Sequence, residues 1–390
     1  LGWYATNGHM VCPPMSHGKA GKTPNAYLTY VISLGNVPGQ QIDKLIVDDT
    51  EVEFETYEET MPIGGVVPFG RPLWWYLGQG LDPLNPNASL PKITPGRPGK
   101  GKYAGKIWLR YYDGTQTTAD SYLQAIAGPG TAWDEGSKRP WGADMVGVDT
   151  CYAVITFRFW RNVFPGLPRC RFVMSGVPLY DPGKDSSVGG DGPQRWITPS
   201  TWAPSNNALV QAYNVLRGIP INGGPLWGYG VEGEDLPLSA WIPAMNTADL
   251  DEGGSPRWQS GLEVSVDEEP ADILDEIGKV SCTAFAEVGG VWKPRVGPPA
   301  APVYFFSDDD ILLNHEATAT PFPSIDDTYN GVHASYPDPD QLWQPKDAPP
   351  RYNADWEASD NSRRRVADLS LAACPYPKQV QRIQRGYIEE

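Results

Sequence analysis

The sequence predicts a mostly β fold with a few helices, and three observations favour this class. Its 390 residues include 42 Gly and 40 Pro, which end regular elements and form turns. They also include 15 Trp and 19 Tyr, which favour pleated, half-buried surfaces. Several segments alternate with the period of two that strands require. An apolar fraction of 40% is enough to bury real cores, so we expect a folded chain.

The first strands are predicted within residues 25 to 57. Apolar and aromatic side chains occupy both faces there, with Tyr27, Thr29 and Val31 on one and Leu28, Tyr30 and Ile32 on the other. This pattern is typical of a strand between two layers or of a subunit interface. Strand character returns at residues 103 to 112 and 150 to 180, which we assign to the same β domain. The Pro- and Gly-rich residues 61 to 101 are a predicted insertion, whose aromatic residues pack on this domain or form a contact surface.

Two helices and a hairpin are predicted in the middle of the chain. Ser205-Asn206-Asn207 is a capping sequence, and the apolar residues after it, Leu209, Ala212, Tyr213 and Leu216, have helical spacing up to Gly218. A second helix is predicted from Pro270 to Gly278, where Pro suits the first turn. Thr283 to Trp292 follows as a hairpin around Gly289-Gly290.

From Val303 onwards the chain is predicted to be β again, before a final helix. Val332, Ala334 and Tyr336 alternate with polar residues, which predicts a strand with one buried face that ends at an acidic turn from Pro337 to Pro339. The final amphipathic helix is predicted from Pro377 to Ile388, with Val380, Ile383 and Tyr387 on one side.

Charge and cysteine content exclude several functional classes. Lys and Arg total 31 against 47 Asp and Glu, and the net charge of −16 argues against binding to DNA or to an anionic lipid surface. The same acidity is also what solubility alone would favour. No apolar run approaches the roughly 18 to 20 residues of a membrane helix. The five cysteines are widely spaced, which predicts neither a disulfide framework nor a zinc ribbon. Leu1 is not a natural start, so we expect residues to precede it or to have been removed.

Patterns for nucleotide and metal binding are incomplete. Gly21-Lys22-Thr23 ends like a phosphate-binding loop, but Ser16 stands where that loop requires Gly. His9, Cys12 and His17 supply three ligands, whereas a structural zinc site normally has four. The Gly-rich loop with Asp181, Asp185 and Asp191 offers carboxylates for calcium without the ordered spacing of an EF-hand.

The acidic and basic clusters of the sequence do not indicate a specific activity either. Acidic clusters at residues 51 to 59, 308 to 310 and 326 to 327 do not single out a glycosidase pair. We therefore assign no catalytic, cofactor-binding or metal-binding residue and predict a protein that is not an enzyme. One basic concentration, Arg363 to Arg365 with Lys378, Arg382 and Arg385, is interpreted either as an exposed surface or as a site for the acidic face of a neighbouring subunit.

Five segments match the pattern of one protein family in the same order along the chain: Ile32 to Ile42, Tyr112 to Asp120, Phe164 to Pro168, Ser175 to Pro182 and Tyr329 to Pro339. Tyr329 to Pro339 is similar to an "N-x-V-x-V-x-Y-x-D-P" segment, and Phe164 to Pro168 to an "F-P-G-x-P" motif. Through these segments the chain resembles the tail-tip or baseplate hub proteins of long-tailed bacteriophages and gene transfer agents, and it is similar to the central tail-tip attachment protein of lambda-like siphophages. Residues 61 to 101, 219 to 262 and 351 to 365 depart from the family pattern.

The resemblance implies a multi-domain hub with two tube-like β-barrels. It places the first at residues 1 to 182, middle α+β domains at 183 to 300, and the second barrel at 301 to 390. It further implies a homotrimer in the tail tip of a virion, assembled in the bacterial host cytoplasm. Such a ring adapts a six-fold tail tube to a three-fold tip and lines or gates the DNA channel.

The implied partners are the distal tail protein, other tail-tip proteins and the tape-measure protein, while the genome passes through the lumen without specific binding. An acidic wall would suit that passage, because basic residues there would bind the phosphates. Two alternatives remain: a secreted carbohydrate-binding or carbohydrate-cleaving β protein, and a capsid or tube subunit with six copies per ring.

Overall fold

The computed structural model describes residues 1–20, 22–52, 102–103, 106–131, 140–221, 224, 226–297, 304–307, 310 and 328–389. The predicted insertion at 61 to 101 lies outside these residues. The chain divides into two compact units. The first unit contains Leu1–Asp181, Pro193–Ser205 and Gly218–Gly230, and the second contains Pro182–Gly192, Asn206–Arg217 and Val231–Glu390. Strands in several antiparallel sheets predominate and helices are few, so the predicted β-rich class is confirmed.

Two larger sheets form the first unit. The five-stranded sheet has the order β2-β4-β8-β7, with β3 also paired to β4, and the four-stranded sheet has the order β1-β9-β5-β6. Their strands are β1 Tyr4–Thr6, β2 His9–Met10, β3 Met15–Ala20, β4 Thr23–Gly35, β5 Ile42–Val47, β6 Thr50–Glu51, β7 Ile107–Asp113, β8 Cys151–Arg158 and β9 Cys170–Met174. The described part of this unit also has two short antiparallel pairs: β10 Pro178–Leu179 with β11 Ala203–Pro204, and β12 Ile219–Pro220 with β13 Leu226–Trp227.

Strand β4 is buried on both faces, as its sequence predicts. On one side Tyr30 joins Leu45 and Phe172 of the other sheet in a single apolar core. On the other side Val31 packs in a second cluster with Leu123 of the helix α1, Ser121–Ala127. The two layers that cover β4 therefore belong to the same chain, and its apolar faces do not require a neighbouring subunit.

Helix α1 was not predicted, although the hub-like segment Tyr112 to Asp120 leads directly into it. Asp120 caps the helix, because its carboxylate Oδ1 accepts the backbone N–H of Leu123 at 2.6 Å. The backbone N–H of Gly128 donates to the carbonyl of Gln124 and ends the helix.

The described residues of the second unit contain five helices: α2 Ala208–Arg217, α3 Leu238–Asp249, α4 Pro270–Ser281, α5 Ala354–Ser359 and α6 Pro377–Glu389. The predicted cap of α2 is confirmed and is Asn207, whose Oδ1 accepts the N–H groups of Leu209 at 2.9 Å and Val210 at 3.2 Å. Helix α4 is also confirmed and runs one turn beyond the predicted end at Gly278.

Helix α3 was missed, and it carries the largest fully buried side chain of the described residues, Trp241. The Trp241 ring lies edge-on to Tyr213 of α2, with 5.4 Å between ring centroids, and is stacked on Phe285 at 6.2 Å. Phe285 belongs to the predicted hairpin, confirmed as β14 Thr283–Val288 and β15 Val291–Val296 around Gly289-Gly290. Helices and hairpin thus share one core.

The C-terminal sheet is built around β16, Gly331–Asp338. It pairs antiparallel with β17 Gln344–Asp347 and β18 Arg351–Tyr352, and parallel with β19 Val366–Ser370. The predicted alternation is confirmed, since Val332, Ala334 and Tyr336 are buried. The predicted end was wrong, because the strand continues through Pro337 and Asp338 before a 3-10 turn at Pro339–Gln341.

The predicted face of helix α6 was wrong in one residue. Val380 and Ile383 are buried, but Tyr387 is exposed, and Gln384 and Ile388 are buried instead. The predicted return to β structure at Val303 lies outside the described residues; of those described after it, 304–307 contain no strand and β16 begins at Gly331. Residues 328–389 contribute one four-stranded sheet, and a second barrel at 301 to 390 stays a prediction.

None of the helices described here combines the length and apolar character needed to cross a membrane.

Candidate functional site

The segment with the strongest hub resemblance begins at a buried amide. Asn330 is 1% exposed, and its Nδ2 donates to the carbonyl of Arg363 at 2.7 Å and to Asp360 Oδ2 at 2.9 Å. Its Oδ1 accepts the N–H of Arg365 at 2.8 Å. One side chain therefore holds the 360–365 loop against the start of β16, which gives the Asn of the "N-x-V" segment a structural role.

The outward face of the same strand is polar. His333 Nδ1 lies 3.3 Å from Asp368 Oδ1 on β19, and its Nε2 lies 3.8 Å from Asp347 Oδ1 on β17. At the end of the strand, the buried carboxylate of Asp338 accepts a hydrogen bond from Lys346 Nζ. This bond raises the pKa of the Lys346 ammonium group, because the carboxylate favours its charged form. These pairs tie neighbouring strands together.

The second hub-like motif, Phe164 to Pro168, lies in the loop between β8 and β9. We call residues 159 to 169 the apolar loop. Phe164 anchors it: the ring is buried, stacked on Tyr103 with centroids 5.7 Å apart, and edge-on to Phe157 at 5.4 Å. The backbone N–H groups of Val163 and Phe164 both donate to the carbonyl of Trp160. The loop therefore has a packed anchor and internal hydrogen bonds.

Three large apolar side chains of this anchored loop face solvent. Phe159 is 58% exposed, Trp160 is 47% exposed and Leu167 is 70% exposed. Large exposed apolar groups clustered along one short segment are a mark of protein contact surfaces, and aromatic residues are enriched there. The apolar loop is the feature of the first unit that best fits an assembly surface.

The charge of the apolar loop is opposite to that of the whole chain. Residues 159 to 169 contain Arg161 and Arg169 and no acidic residue. Lys106 Nζ lies 5.5 Å from the centroid of the Trp160 ring, and the Arg158 guanidinium carbon lies 6.0 Å from it. Arg169 reaches Asp49 at 3.1 Å, and both side chains are largely exposed. In a chain of net charge −16, the loop's own charged residues are thus basic, and one of them, Arg169, is paired with Asp49.

The basic concentration predicted in the C-terminal region has partners within the second unit. Arg364 pairs with Glu357 at 3.2 Å and lies over the Tyr352 ring, while Arg365 pairs with Asp360. Three basic residues of α6 contact the turn at Glu252 and Gly253. Lys378 Nζ donates to the Gly253 carbonyl at 2.8 Å, and Arg382 donates to the Glu252 carbonyl at 2.8 Å. Arg385 lies 3.6 Å from the Glu252 carboxylate. These contacts support packing within the chain.

His17, one of the three suggested metal ligands, belongs to a buried hydroxyl network that sequence reasoning missed. Its Nε2 lies 2.9 Å from Thr29 Oγ1 and 3.2 Å from the Tyr122 hydroxyl. Thr156 Oγ1 completes the network, 2.8 Å from Thr29 Oγ1 and 3.1 Å from the Tyr122 hydroxyl. Thr29 and Thr156 face each other on paired strands β4 and β8, a register that no single-strand pattern reveals.

The burial of this network indicates a structural role. Burial lowers the pKa of His17 from 6.5 to about 4, so the ring is neutral near pH 7. Thr29 is fully buried, and a substrate has no access to its hydroxyl.

Nothing among the described residues groups three or more His, Cys, Asp or Glu side chains as a metal site would require. In the suggested calcium loop, Asp185 Oδ1 accepts hydrogen bonds from the N–H and hydroxyl of Ser187.

The carbohydrate alternative would favour a row of exposed tryptophans. Trp160 is the most exposed described tryptophan of the first unit and Trp356 that of the second. Trp196 and Trp202 stack with centroids 5.2 Å apart, but both are partly buried and pack with Tyr180. Within either unit, the described residues therefore do not provide a row of exposed tryptophans.

No model of a known protein family matches this sequence, and no curated protein matches it closely enough to count as a relative.

Proposed function

We propose that the protein is the hub of a phage-type tail tip, a structural virion protein that forms a trimeric ring. The observation that carries the proposal is the apolar loop: it contains the segment that resembles the hub "F-P-G-x-P" motif, and it presents Phe159, Trp160 and Leu167 to solvent from a packed anchor. Exposed aromatic and aliphatic groups on one ordered loop are a feature of contact surfaces, and a subunit in a closed ring would bury them against its neighbour.

The proposed ring adapts a six-fold tail tube to a three-fold tip and lines or gates a DNA channel. Its partners would be the distal tail protein, other tail-tip proteins and the end of the tape-measure protein. The net charge of −16 supports a conduit without specific DNA binding, because like charge on the wall would repel the phosphate backbone. The layered sheets of the first unit support a tube-like domain.

The test is the oligomeric state of the purified chain, with a matched pair of variants. Light scattering after size exclusion should give the mass of three 42.7 kDa chains, and class averages by electron microscopy should show three-fold symmetry around a bore. Leu167→Asp should weaken the trimer, because it places a carboxylate in the contact. Ile197→Asp changes a residue that is 89% exposed in the same unit but outside the apolar loop, and should leave the mass unchanged.

Two results would contradict the proposal. A monomer at all concentrations would remove the need for a ring, and a ring of six copies would favour a tube or capsid subunit. Circular dichroism of both variants should match the wild-type spectrum, since exposed substitutions usually change stability by no more than about 0.5 kcal/mol.

A further inference from the structure

The hairpin of β14 and β15 in the second unit has an inner and an outer face. On the inner face Phe285 is stacked on the Trp241 ring of α3, and the backbone carbonyl of Trp292 accepts the Trp241 indole N–H at 3.0 Å. Successive side chains of a strand point to opposite faces, so the neighbours of Phe285 and Trp292 in the sequence point away from α3. These neighbours form the outer face, and most of them are exposed to solvent.

The outer face carries small apolar and basic side chains. The strand register places Ala284 opposite Arg295 and Ala286 opposite Lys293, and all four residues are exposed. Val288, on the same face beside the turn, is 72% exposed. Within the part of the chain that the structure describes, neither the Lys293 nor the Arg295 side chain has an ion pair or a hydrogen bond. We call these five residues the basic face.

The charge of the basic face fits an acidic partner. Glu287, the acidic residue of the hairpin, belongs to the inner face, so the basic face has two positive charges and no negative one. Lys293 and Arg295 are two residues apart on one strand, which places their backbones roughly 7 Å apart. Both cations can therefore act on the same partner surface, and that surface should present exposed carboxylates around a small apolar group.

A surface of this kind lies at residues 265 to 269, which we call the acidic turn. Val266 is 52% exposed, and the carboxylates of Asp267 and Glu269 are exposed and without a partner among the described side chains. Ser265 orders the turn, because its carbonyl accepts the Glu268 N–H at 3.1 Å and its N–H donates to the Glu268 carboxylate at 2.9 Å. The acidic turn and the basic face thus have the same make-up with opposite charge.

We propose that the basic face of one copy docks on the acidic turn of a second copy of this chain. The inference rests on the proposed trimer and names a contact of the second unit within it. Val288 and Val266 exclude water at the centre of this contact, and the two cations pair with the two carboxylates at its rim. Two different patches meet, so the contact is heterologous, and it closes into a ring when its rotation divides a full turn.

The direct test is zero-length crosslinking of the full chain with a carbodiimide, which joins a lysine amine to a carboxylate where the two are in contact. A mixture of isotopically labelled and unlabelled chains distinguishes links between copies from links within one copy. Mass spectrometry should find a mixed-isotope link from Lys293 to Asp267 or Glu269. Lys293→Arg keeps the charge but has no amine to couple, so this matched control should keep the trimer and lose the link.

Charge reversal provides an independent readout. Lys293→Glu with Arg295→Glu should raise the concentration at which half of the trimer dissociates by roughly tenfold or more, because like charges then face each other. Asp267→Lys with Glu269→Lys should have the same effect. All these changes together restore opposite charges and should restore most of the affinity, since residues in contact are not additive. Arg351→Glu, at an exposed basic residue elsewhere in the second unit, is the control and should leave dissociation unchanged.

The outcomes separate this inference from the proposed function. Links between copies from Lys293 to the acidic turn, with affinity restored by the combined variant, establish the contact. A trimer that both charge reversals leave intact, or whose Lys293 links lie within one chain or at other carboxylates, overturns the docking contact and leaves the hub proposal standing. An assembly joined by this link but with another number of copies keeps the contact and overturns the trimer, and a chain that stays monomeric overturns both.

Discussion

Replacing Asn330 tests whether the Asn of the hub-like segment has a structural role. Asn330→Ala removes three hydrogen bonds, to the Arg363 carbonyl, to Asp360 Oδ2 and from the Arg365 N–H, from a side chain that is 1% exposed. At about 0.5 to 1.5 kcal/mol for each bond, the free energy of unfolding should fall by about 1.5 to 4.5 kcal/mol. Ser335→Ala, on the half-buried face of the same strand, is the control and should change it by less than about 0.5 kcal/mol.

An isosteric variant separates lost donors from lost volume. Asn330→Asp keeps the acceptor for Arg365 but loses both Nδ2 donations, and it places a carboxylate beside that of Asp360. Like charge raises the pKa of the introduced group above its unfolded value, so the penalty is present near neutral pH and disappears as the pH falls through that pKa. This variant should therefore be less stable than Asn330→Ala near pH 7 and recover on acidification.

Two measurements follow the effect, one global and one local. Urea unfolding gives the change in stability, and hydrogen exchange with mass spectrometry follows the Arg365 amide, which should lose protection by about tenfold for each 1.4 kcal/mol. If Asn330→Ala unfolds at the wild-type midpoint and the Arg365 amide stays protected, the buried amide does not hold the loop and the reasoning fails.

Three further predictions concern other parts of the fold. Burial lowers the pKa of His17 from 6.5 to about 4, so the unfolded chain takes up this proton first and stability falls as the pH drops through this range. His17→Gln should abolish this pH-dependent loss of about 3 kcal/mol, measured as unfolding free energy against pH. Burial raises the pKa of Cys374 to about 12, whereas Cys282 is exposed. An alkylating reagent should therefore modify Cys282 first in the native chain and Cys374 only after denaturation, which peptide mapping would show. Ile383→Ala should lower the free energy of unfolding by about 2 to 4 kcal/mol, whereas Tyr387→Ala on the exposed side of α6 should change it by less than about 0.5 kcal/mol, and equal losses would contradict the observed helix face.

Elements with a local cap or a strict period were predictable from sequence. The cap at Asn207, the Gly289-Gly290 turn and the alternation in β16 depend on residues within a few positions of each other. Helix α3 was not predictable in this way, because Pro243 interrupts its pattern and its main buried residue, Trp241, is fixed by contacts with α2 and the hairpin.

Helix α6 shows the same limit of prediction from sequence. Tyr387 has the spacing of a buried residue, but the structure buries Gln384 and Gln379 instead. Gln379 Nε2 donates to the carbonyls of Gln259 and Val280 at 2.8 and 2.7 Å, and Gln379 Oε1 accepts the Gln259 N–H at 2.9 Å. A glutamine that pairs with distant backbone in this way is polar in sequence and buried in the fold, so hydropathy assigns it to the wrong face.

The position of the covered surfaces changes where an assembly contact should be sought. From sequence, the two apolar faces of β4 suggested a strand between layers or at a subunit interface. In the first unit both faces are covered by the chain's own residues, with Leu45 on one side and Leu123 on the other, so no neighbour is needed there. Among the large apolar groups left in water, Phe159, Trp160 and Leu167 lie in the loop between β8 and β9. Assembly through the first unit would draw on such exposed groups, because both faces of β4 have already contributed their apolar surface to folding.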